Sequence, residues 1–557
     1  MEQIPSAHVD TFARDNLPPP EQWPQLTRDL PELRCPDRMN CGFELLDGTI
    51  ERLGPDRRAF VGDDTVWSYG ELRDRVDAIA HVLSGELGVV PGNRVLLRGP
   101  TTPELAACWL AVMKAGAVAV TVLAAQRSHE LRTVCDLAQV GHALCDASTL
   151  DDLVKAEVPG LRVTPFGGDS PDDLHRLTER WAARPYSAVA TAADDVALIA
   201  FTSGTTGRPK GCMHFHRDVL AVADSFSAHL LRPEPDDLFA GSPPLGFTFG
   251  LGGLVIFPLR AGAAALLQQW SGPDEMLRAV QQHRVSVLFT APTAYRAILG
   301  KLADGDARGE PWDVTSLRRC VSAGEHLPAA TWEAWHERTG LRLIDGIGAT
   351  EMLHIFLSAA DDDIRPGTTG RPVPGFEARV VAEDGVTPVP DGAPGLLAVR
   401  GPVGCRYLAD PRQQDYVRSG WNITGDTYVR EPGGYFRYVA RADDMIISAG
   451  YNIAGPEVEG ALLRHPDVEE VAVVGRPDEV RGQTVVAHVV LRKGVPGGQE
   501  TVDRLRAFTK EELTPFKCPK EIVFADALPR TQTGKLQRFR LREAPAQGEG
   551  RAGRGTP

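Results

Sequence analysis

The stretch VALIAFTSGTTGRPKG, residues 196–211, joins an apolar run to a loop of glycines and hydroxyl residues. The run predicts a buried β-strand, because short apolar segments that end at a turn are typical of parallel sheets. The loop combines glycines, which let a ligand approach the backbone closely, with hydroxyl and cationic side chains, and this suits a polyphosphate. It is not a Walker loop, because Arg208 and Pro209 precede Lys210 and Gly211 follows it. The sequence therefore predicts a strand that leads into a phosphate-binding loop of a different kind.

Three further apolar runs end in small or hydroxyl residues: VSVLFT (285–290) before APT, RRCVS (318–322) before AGE, and LRLID (341–345) before GIGATE. Ligands of open α/β sheets bind at the carboxyl ends of strands, so we expect all four loops to converge on one site. Elsewhere, YGELRDRVDAIAHVLSGEL (69–87) predicts an amphipathic helix and NRVLLRG (93–99) a buried strand. This alternation predicts an α/β fold with mostly parallel sheets flanked by helices.

The amino-acid composition limits the classes of protein to which this chain can belong. The chain has 557 residues, 43% of them hydrophobic, which allows several domains and a large core. A net charge of -14 with scattered Lys and Arg excludes nucleic acid or an anionic membrane as an expected partner. Nine cysteines without a CxxC pair indicate neither a disulfide framework nor a zinc site.

We expect a cytoplasmic location. The first residues lack the basic and apolar regions of a secretory signal. The stretch AACWLAVMKAGAVAVTVLAA (106–125) is long enough to span a bilayer, but Lys114 and Gly116 lie at its centre. It is interpreted as a buried helix, a glycine turn and a buried strand.

Shifts in composition predict the domain boundaries. Residues 1–45 contain the proline-rich LPPPEQWPQL and are expected to form an extended arm of an N-terminal domain that spans residues 1–440. The turn-rich EPGGYFRYVARADD (431–444) precedes short helices mixed with strands, which predicts a small mobile α+β lobe over residues 441–543. Residues 544–557 are expected to be a disordered tail.

Five motifs, taken together, resemble the core motifs of the adenylate-forming superfamily, which includes acyl- and aryl-CoA synthetases, peptide-synthetase adenylation domains and luciferases. In order they are TSGTTGRPKG (202–211), IGATE (347–351), TGD (424–426), RADDMIISAGYNI (441–453) and PRTQTGK (529–535). DGIGATEMLHIF (345–356) and GFTFGLGG (246–253) resemble the benzoate–CoA ligase branch. Within that branch, DTFARDNLPPPEQWP (10–24), NRVLLRGPTTPELAACWLAVMKAGAV (93–118) and GHALCDA (141–147) are similar to 2-aminobenzoate (anthranilate)–CoA ligases.

The resemblance implies two half-reactions with ATP, Mg²⁺ and coenzyme A. A carboxylate attacks the α-phosphate of ATP to give an acyl-adenylate and pyrophosphate, and a thiol then attacks the acyl carbon. Both steps develop negative charge on oxygen, so positioning and electrostatic stabilisation should dominate catalysis. The favoured function is an ATP-dependent aryl-CoA ligase for anthranilate or a close benzoate.

The resemblance also assigns roles to residues. Thr350 and Glu351 are expected to meet the α-phosphate and Mg²⁺, with Glu351 as the metal ligand, while Lys535 bridges carboxylate and phosphate. Thr202 completes this catalytic set, and Asp443 is the expected hinge about which the small lobe rotates between half-reactions. The expected cofactor-binding residues are Thr202, Ser203, Gly204, Thr205, Thr206, Gly207 and Lys210 at the phosphates, Gly324, Glu325 and Ile347 at the adenine, Asp426 and Arg441 at the ribose, and Gly450 at the pantetheine. Ile347 departs from the aromatic residue that many relatives stack on adenine.

The expected acyl pocket is mostly apolar, as a flat ring requires. Its inferred wall consists of Phe247, Thr248, Phe249, Ala323, Gly348, Leu353 and His354. Any of these residues could instead be plain core, and His354 is either a structural histidine or a partner for an ortho substituent. Asp443 could likewise be a helix cap or a solvated charge.

Two other functions stay open at this stage. The first is a free-standing enzyme that loads an aryl group onto the phosphopantetheine of an acyl carrier protein. The second is an adenylate-binding protein without ligase activity or a luciferase-like oxidase. The ring substituent, the pathway and a possible homodimer are not decided by the sequence.

Overall fold

The computed structural model describes residues 5–202, 209–270, 272–448, 451–478, 481–530 and 536–543. Several predicted features lie outside these ranges, namely Ser203, Gly204, Thr205, Thr206, Gly207, Gly450, Lys535 and the tail from residue 544. The statements below refer to the described residues.

The described strands form four sheets. In chain order they are β1 (Arg58–Val61), β2 (Val66–Ser68), β3 (Arg94–Arg98), β4 (Val118–Thr121), β5 (His142–Asp146), β6 (Arg162–Phe166), β7 (Val196–Thr202), β8 (Lys210–Phe215), β9 (Leu238–Gly241), β10 (Ala264–Leu266), β11 (Val287–Thr290), β12 (Arg319–Ala323), β13 (Leu343–Gly348), β14 (Ile355–Ser358), β15 (Arg371–Pro372), β16 (Glu377–Val381), β17 (Pro394–Arg400), β18 (Val417–Arg418), β19 (Trp421–Glu431), β20 (Tyr435–Arg441), β21 (Ile446–Ser448), β22 (Tyr451–Ile453), β23 (Val468–Asp478), β24 (Gly482–Leu491) and β25 (Glu521–Phe524).

The α-helices alternate with these strands. They are α1 (Phe12–Asp15), α2 (Cys41–Leu45), α3 (Asp47–Leu53), α4 (Tyr69–His81), α5 (Pro103–Lys114), α6 (Ser128–Ala138), α7 (Leu150–Lys155), α8 (Leu174–Thr178), α9 (His216–Val222), α10 (Thr248–Leu251), α11 (Phe257–Ala261), α12 (Pro273–His283), α13 (Pro292–Arg308), α14 (Ala329–Thr339), α15 (Gln413–Tyr416), α16 (Gly455–Leu462), α17 (Gln499–Glu512) and α18 (Arg538–Glu543). In the described parts of the chain, no helix combines the length and apolar character that crossing a membrane requires.

Two large sheets build the first lobe. One has the order β6-β5-β3-β4-β7-β8 and is parallel except for the antiparallel edge pair β7 and β8. The other has the order β15-β14-β13-β12-β11-β9-β10-β1-β2 and is parallel from β13 to β1. The predicted α/β class, with mostly parallel sheets flanked by helices, is confirmed.

The predicted helix, turn and strand over residues 106–125 are also confirmed. The Thr102 side chain caps helix α5 and Pro103 occupies its first turn, where a missing N–H costs nothing. Gly116 adopts a φ of 65°, which a glycine allows without strain, and the chain then enters β4. Lys114 is fully buried and forms ion pairs with Asp47 and Asp77. The stretch is therefore part of the core.

The last sheet forms a small α+β lobe, as predicted. It contains β21 to β25, with the order β22-β21-β24-β23 and β25 beside β24. Helices α16 and α17 contribute Val458, Leu462 and Leu505 to its apolar core. The third sheet has the order β16-β17-β19-β18, with β20 beside β19. The stretch 431–444 is not a simple crossing, because β19 and β20 form a hairpin within this third sheet and the change of sheet follows Arg441. The exact boundary between residues 440 and 441 stays a prediction.

The N-terminal arm lies along the first lobe. The backbone N–H of Ala7 donates to the Asp195 carboxylate at 2.9 Å, and the N–H of Gln25 donates to the Gly420 carbonyl at 2.8 Å. The Trp23 ring packs against Phe215 with centroids 5.8 Å apart. These contacts connect the arm to both the six-stranded sheet and the third sheet.

Candidate active site

The four predicted loops follow strands of two different sheets. Strands β11, β12 and β13 are parallel neighbours, so their carboxyl ends at Thr290, Ala323 and Gly348 lie along one sheet edge. Strand β7, which leads into the predicted phosphate loop, belongs to the other large sheet. A hydrogen bond joins the two sides, because His214 of β8 donates from Nε2 to the Thr350 carbonyl at 2.8 Å. The site therefore lies where the two large sheets meet.

A cluster of polar side chains connects the predicted phosphate loop to Glu351. Lys210 Nζ donates to the Tyr407 hydroxyl at 2.7 Å, and that hydroxyl donates to Glu351 Oε1 at 2.5 Å. Lys210 Nζ is 3.6 Å from the same carboxylate oxygen and also lies 4.6 Å and 5.7 Å from the ring centroids of Tyr407 and Tyr416. We call Lys210, Tyr407 and Glu351 the phosphate-side cluster. In this cluster the Tyr407 hydroxyl bonds to both the Lys210 ammonium and the Glu351 carboxylate.

The phenol of Tyr407 is a structural donor and not an acid at neutral pH. Tyr407 is fully buried, and burial together with the Glu351 charge raises the pKa of its hydroxyl far above the ordinary value. Because it keeps its proton, it can donate to the carboxylate while it accepts from the lysine. The sequence analysis did not identify Tyr407, which is 197 positions from Lys210 and belongs to none of the five motifs.

Buried groups behind Thr350 fix the backbone that precedes Glu351. Burial lowers the pKa of His214 to about 4, so the ring is neutral and its Nε2–H donates to Thr350. Asp218 lies 4.0 Å from Nδ1 of this histidine and accepts a hydrogen bond from Arg406 Nη1 at 2.9 Å. Arg406 in turn stacks on Phe215 at 4.0 Å. His214 was also missed, although a histidine four residues past Lys210 in a buried strand was a usable signal.

Thr202 has a hydroxyl that the described residues leave unsatisfied. Its Oγ1 is shielded from solvent and has no hydrogen-bond partner among them. Such groups are rare in folded proteins, because an unpaired buried hydroxyl costs free energy. Thr202 ends β7 directly before the predicted phosphate loop. The orphan hydroxyl is compatible with the predicted contact to a phosphate.

The predicted ribose pair comes together across the β19–β20 hairpin. Asp426 and Arg441 are register partners, and Arg441 Nη1 lies 3.2 Å from Asp426 Oδ1. Arg441 Nε is 3.5 Å from Asp443 Oδ1, so the arginine connects this pair to the predicted hinge. Asp443 is exposed and lies in the turn Ala442–Asp444, which joins the third sheet to the small lobe.

The predicted adenine side lies after β12 and β13. Gly324 adopts a φ of 92°, which only glycine reaches without strain, and Glu325 is engaged by Arg530 of the small lobe at 2.9 Å. Ile347 is half-buried and pairs with Leu357 across β13 and β14. Asp345 was not predicted here, yet its Oδ1 is buried without a partner in the described residues and burial raises its pKa to about 8.

On the acyl side, His354 sits inside a cage of phenylalanines. Its ring centroid is 4.5 Å from that of Phe257, 5.6 Å from Phe249, 5.7 Å from Phe226 and 6.5 Å from Phe289. Neither ring nitrogen has a hydrogen-bond partner of normal geometry among the described residues, although the backbone of Phe249 lies near the ring. Burial lowers the pKa of His354 to about 3, although the backbone of Phe249 opposes this shift, so the imidazole is neutral.

A sharp turn gives His354 this position. The N–H of His354 donates to the Met352 carbonyl at 2.8 Å, which makes Leu353 the centre of a γ-turn with φ 65° and ψ -38°. This conformation is strained for a leucine and is typical of functional loops. Gly252 makes room for the imidazole, because a Cβ on it would lie 2.2 Å from His354 Cδ2.

The other predicted wall residues differ in their exposure. Ala323 and Leu353 are buried, while Phe247, Thr248 and Phe249 are half-buried on the segment that begins α10. Gly348 is exposed at the end of β13. The prediction missed the rings of Phe226, Phe257 and Phe289. Phe289 lies within the quoted run VSVLFT and Phe257 lies nine residues beyond Thr248, whereas Phe226 belongs to no quoted stretch.

The described residues contain no group of three or more His, Cys, Asp or Glu side chains that could hold a metal ion. In the phosphate-side cluster, Glu351 is the one carboxylate that could bind a metal ion. Magnesium usually takes one or two protein carboxylates and completes its shell with water and substrate phosphates. The residues present fit such an ion bound together with a nucleotide, and they do not form a cage for an ion alone.

Comparisons with known proteins identify the family of this chain. The family described as AMP-binding enzyme matches residues 49–407, and the AMP-binding enzyme C-terminal domain matches residues 457–535. Over 519 residues, the chain is 33% identical to the benzoate–CoA ligase of Thauera aromatica, covering 92% of this chain and 98% of that protein. It is 34% identical over 530 residues to the 3-hydroxybenzoate–CoA ligase of Aromatoleum sp. (strain CIB), covering 92% of this chain and 97% of that protein.

Solved structures show the same likeness. The anthranilate CoA ligase AuaEII, in complex with anthranoyl-AMP, superposes with a TM-score of 0.86 at 30% identity, covering 91% of this chain and 97% of that one. A benzoate CoA ligase from Burkholderia xenovorans LB400 gives 0.82 at 32% identity, covering 91% of this chain and 100% of that one. The two family matches lie in the large and the small lobe respectively. The chain therefore belongs to the adenylate-forming superfamily of AMP-binding enzymes, in its benzoate–CoA ligase branch, and is an acid–thiol ligase.

Proposed function

We propose that this chain is an ATP-dependent aryl-CoA ligase that forms an aryl-adenylate and then an aryl-CoA thioester, with anthranilate or a close benzoate as the acid. The observation that carries the proposal is that a phosphate-binding candidate and an aromatic candidate site lie only three residues apart along the chain. Glu351 belongs to the phosphate-side cluster, and His354, three residues later, lies in an aromatic cage. A small aromatic acid bound beside that imidazole would present its carboxylate to the nucleotide.

The phosphate-side cluster has a defined part in this proposal. Lys210 offers positive charge to the nucleotide phosphates, and Glu351 offers a carboxylate oxygen to Mg²⁺, which would neutralise charge that develops on phosphate oxygens. Tyr407 keeps both side chains in place by bonding to each. His214 holds the Thr350 backbone, and the Thr202 hydroxyl is left for a phosphate oxygen.

The remaining roles follow from the resemblance. We assign Asp426 and Arg441 to the ribose hydroxyls, Gly324, Glu325 and Ile347 to the adenine, and the loop 203–207 to the terminal phosphates. The small lobe, over residues 441–543, supplies Lys535 for adenylation and then turns about Asp443 to bring Gly450 to the coenzyme A thiol. The contact between Arg441 and Asp443 supports a hinge at the ribose side.

His354 is the residue that we assign to the choice of acid. A neutral imidazole can donate from one nitrogen and accept at the other, so it can bond to an ortho amino group on the ring. Among the described residues neither nitrogen has a partner of normal hydrogen-bond geometry, which favours this role over that of a satisfied structural histidine. Phe249 and Phe257 would supply the faces against which the ring of the acid packs.

AMP release tests the proposal. The purified chain with MgATP, coenzyme A and anthranilate should release AMP and form a thioester, and omission of any one component should stop both. Acetate should be a poor substrate, because it cannot fill the cage. A carrier protein bearing phosphopantetheine, tested in place of coenzyme A, distinguishes the alternative function. Thioester formation on the carrier alone would overturn the CoA ligase assignment, and formation from acetate at the same rate would overturn the aryl assignment.

A further inference from the structure

One arginine connects the two lobes at the predicted adenine loop. Arg530 of the small lobe donates from Nη1 to Glu325 Oε1 at 2.9 Å and from Nη2 to Glu470 Oε2 at 2.6 Å. Glu325 lies in the loop after β12 of the large lobe, whereas Glu470 lies on β23 of the small lobe. The three side chains are only 24%, 17% and 34% exposed. The arginine is thus held by one carboxylate from each lobe.

Other charged groups surround this contact. Arg296 of α13, in the large lobe, is half-buried, and partial burial lowers its pKa while the charges of Glu470 and Glu325 oppose the shift. On the small-lobe side, Arg538 donates to both oxygens of Glu459 at 2.8 Å and 2.9 Å. Separation of the lobes would therefore break the contact at Glu325, whereas the pair of Arg538 with Glu459, which lies within the small lobe, would remain.

We propose that Arg530 is a positioning residue that holds the small lobe in the orientation used for adenylation. The bond to Glu470 lies within the small lobe and would survive a rotation of that lobe, whereas the bond to Glu325 would break. Arg530 is also only five positions before Lys535, the predicted catalytic lysine, in the sequence. The arginine acts on the reaction through lobe orientation and does not touch the reacting atoms.

This inference rests on the proposed ligase function, and it predicts a split between half-reactions. A contact that favours one of two orientations changes the ratio of their populations roughly tenfold for each 1.4 kcal/mol of its free energy. Loss of the Glu325 contact should therefore lower acid-dependent exchange of pyrophosphate into ATP by on the order of tenfold, the factor for a pair worth about 1.4 kcal/mol. Thioester formation from supplied aryl-adenylate and coenzyme A should be unchanged or faster.

The variants are Arg530→Gln and Arg530→Lys, with Arg476→Gln as the matched control. Arg476 forms an ion pair with Glu521 at 2.6 Å, but both residues belong to the small lobe. We expect Arg530→Gln to lower only the exchange reaction, Arg530→Lys to retain part of it, and Arg476→Gln to leave the ratio of the half-reactions unaltered. An equal fall in both half-reactions for Arg530→Gln, or no fall in exchange, would overturn the proposal.

A double variant tests the identity of the partner. If Arg530 acts through Glu325, the exchange rate of Glu325→Gln with Arg530→Gln should be no lower than that of the slower single variant, because the second change removes nothing further. Multiplied losses would mean that the two residues act independently, which the proposal excludes.

Hydrogen–deuterium exchange provides a readout that does not require turnover. Amides of α13 and of the β12–α14 loop should lose protection in Arg530→Gln and keep it in Arg476→Gln. If amide protection were unchanged in Arg530→Gln, the contact between Arg530 and Glu325 would not determine the orientation of the lobe, and the proposal would be wrong. If wild-type protein turned over no acid, the proposed function would fail while this measurement still decided the role of Arg530.

Discussion

The phosphate side and the acyl side of the site differ in how their buried polar groups are satisfied. In the phosphate-side cluster, Lys210, Tyr407 and Glu351 complete one another's hydrogen bonds before any ligand binds. On the acyl side, both nitrogens of His354 lack a partner of normal hydrogen-bond geometry in the described part of the chain. An unpaired buried polar group is costly, so its persistence marks a place where a ligand completes the bonding. Under our proposal, the phosphate-side cluster is preassembled, although the neighbouring Thr202 hydroxyl has no partner among the described residues, and selection among acids depends on the imidazole of His354.

The largest expected effect concerns Lys535. Its replacement tests whether adenylation at the phosphate side requires the small lobe. Replacement by Ala should lower adenylation by about 100- to 1000-fold, roughly 2.7 to 4 kcal/mol, as for other donors to a developing charge. Thioester formation from supplied aryl-adenylate should survive, because that step does not use the lysine. The two half-reactions are measured separately by pyrophosphate exchange and by thioester formation. Equal losses in both would disprove the division of labour between lobe orientations.

The second expected effect concerns the hinge. Asp443→Pro fixes φ in the turn that joins the third sheet to the small lobe, and it removes a backbone N–H. Adenylation should proceed, but the lobe should not reorient, so coenzyme A should no longer accelerate product formation. The measurement is a burst of one pyrophosphate per enzyme followed by little turnover. Asp444→Pro is the control one position away, and normal steady-state turnover in the Asp443 variant would move the pivot elsewhere.

The phosphate-side cluster gives the third prediction. Tyr407→Phe removes one hydroxyl that bonds a carboxylate and a cation, and hydrogen bonds to charged groups contribute about 1.5 to 3 kcal/mol. Without it, Glu351 and Lys210, now 3.6 Å apart, should pair directly and withdraw from the nucleotide. We expect kcat/KM to fall about 10- to 100-fold and the Mg²⁺ concentration for half-maximal rate to rise. Tyr416→Phe is the control, because its ring also lies near the lysine. Unaltered magnesium dependence in Tyr407→Phe would show that this hydroxyl does not position Glu351.

Sequence patterns predicted the strands and helices that position the site, because buried parallel strands are continuous apolar runs and amphipathic helices have a regular period. The strand β7 and the helix–turn–strand over residues 106–125 are examples. Patterns did not predict that β7 and β13 belong to different sheets, since strand order depends on long-range pairing. Nor could they predict the bond between Lys210 and Tyr407, which joins distant parts of the chain.

The candidate acyl side shows a second limit of sequence reasoning. His354 was identified through a family resemblance, but its cage of Phe226, Phe257 and Phe289 was not. These rings come from three elements that meet only in the folded structure. The γ-turn at Leu353 was also unpredictable, because leucine rarely adopts a positive φ and no local pattern indicates it.

The acyl side gives the fourth prediction. The unaltered enzyme should prefer anthranilate over benzoate by more than about tenfold, roughly 1.4 kcal/mol, because benzoate leaves the imidazole unpaired. His354→Leu should shrink this ratio, since an apolar side chain has no bond to lose. Steady-state kcat/KM values for both acids provide the measurement. Equal use of both acids by the wild type would make the cage a general benzoate slot and leave the ligase assignment intact.

The smallest expected effect concerns stability. Burial lowers the pKa of His354 to about 3, below the value near 6.5 in the unfolded chain, so its contribution to folding is present above pH 6.5 and is lost as the pH falls. As the pH falls from 7 to 6, the free energy of unfolding of His354→Leu should therefore decrease by about 0.7 kcal/mol less than that of the wild type. The free energy of unfolding of both proteins, measured with denaturant at each pH, gives this difference. An identical pH dependence in both proteins would mean that the imidazole is solvated or paired.

The comparison between the two sides is tested most directly by the ratio of kcat/KM for anthranilate over benzoate in three proteins: the wild type, Tyr407→Phe and His354→Leu. Our account predicts that Tyr407→Phe lowers kcat/KM for both acids by the same factor and leaves the ratio unchanged, whereas His354→Leu reduces the ratio toward one. A changed ratio in Tyr407→Phe, or an unchanged ratio in His354→Leu, would contradict the separation of a preassembled phosphate side from a selective acyl side.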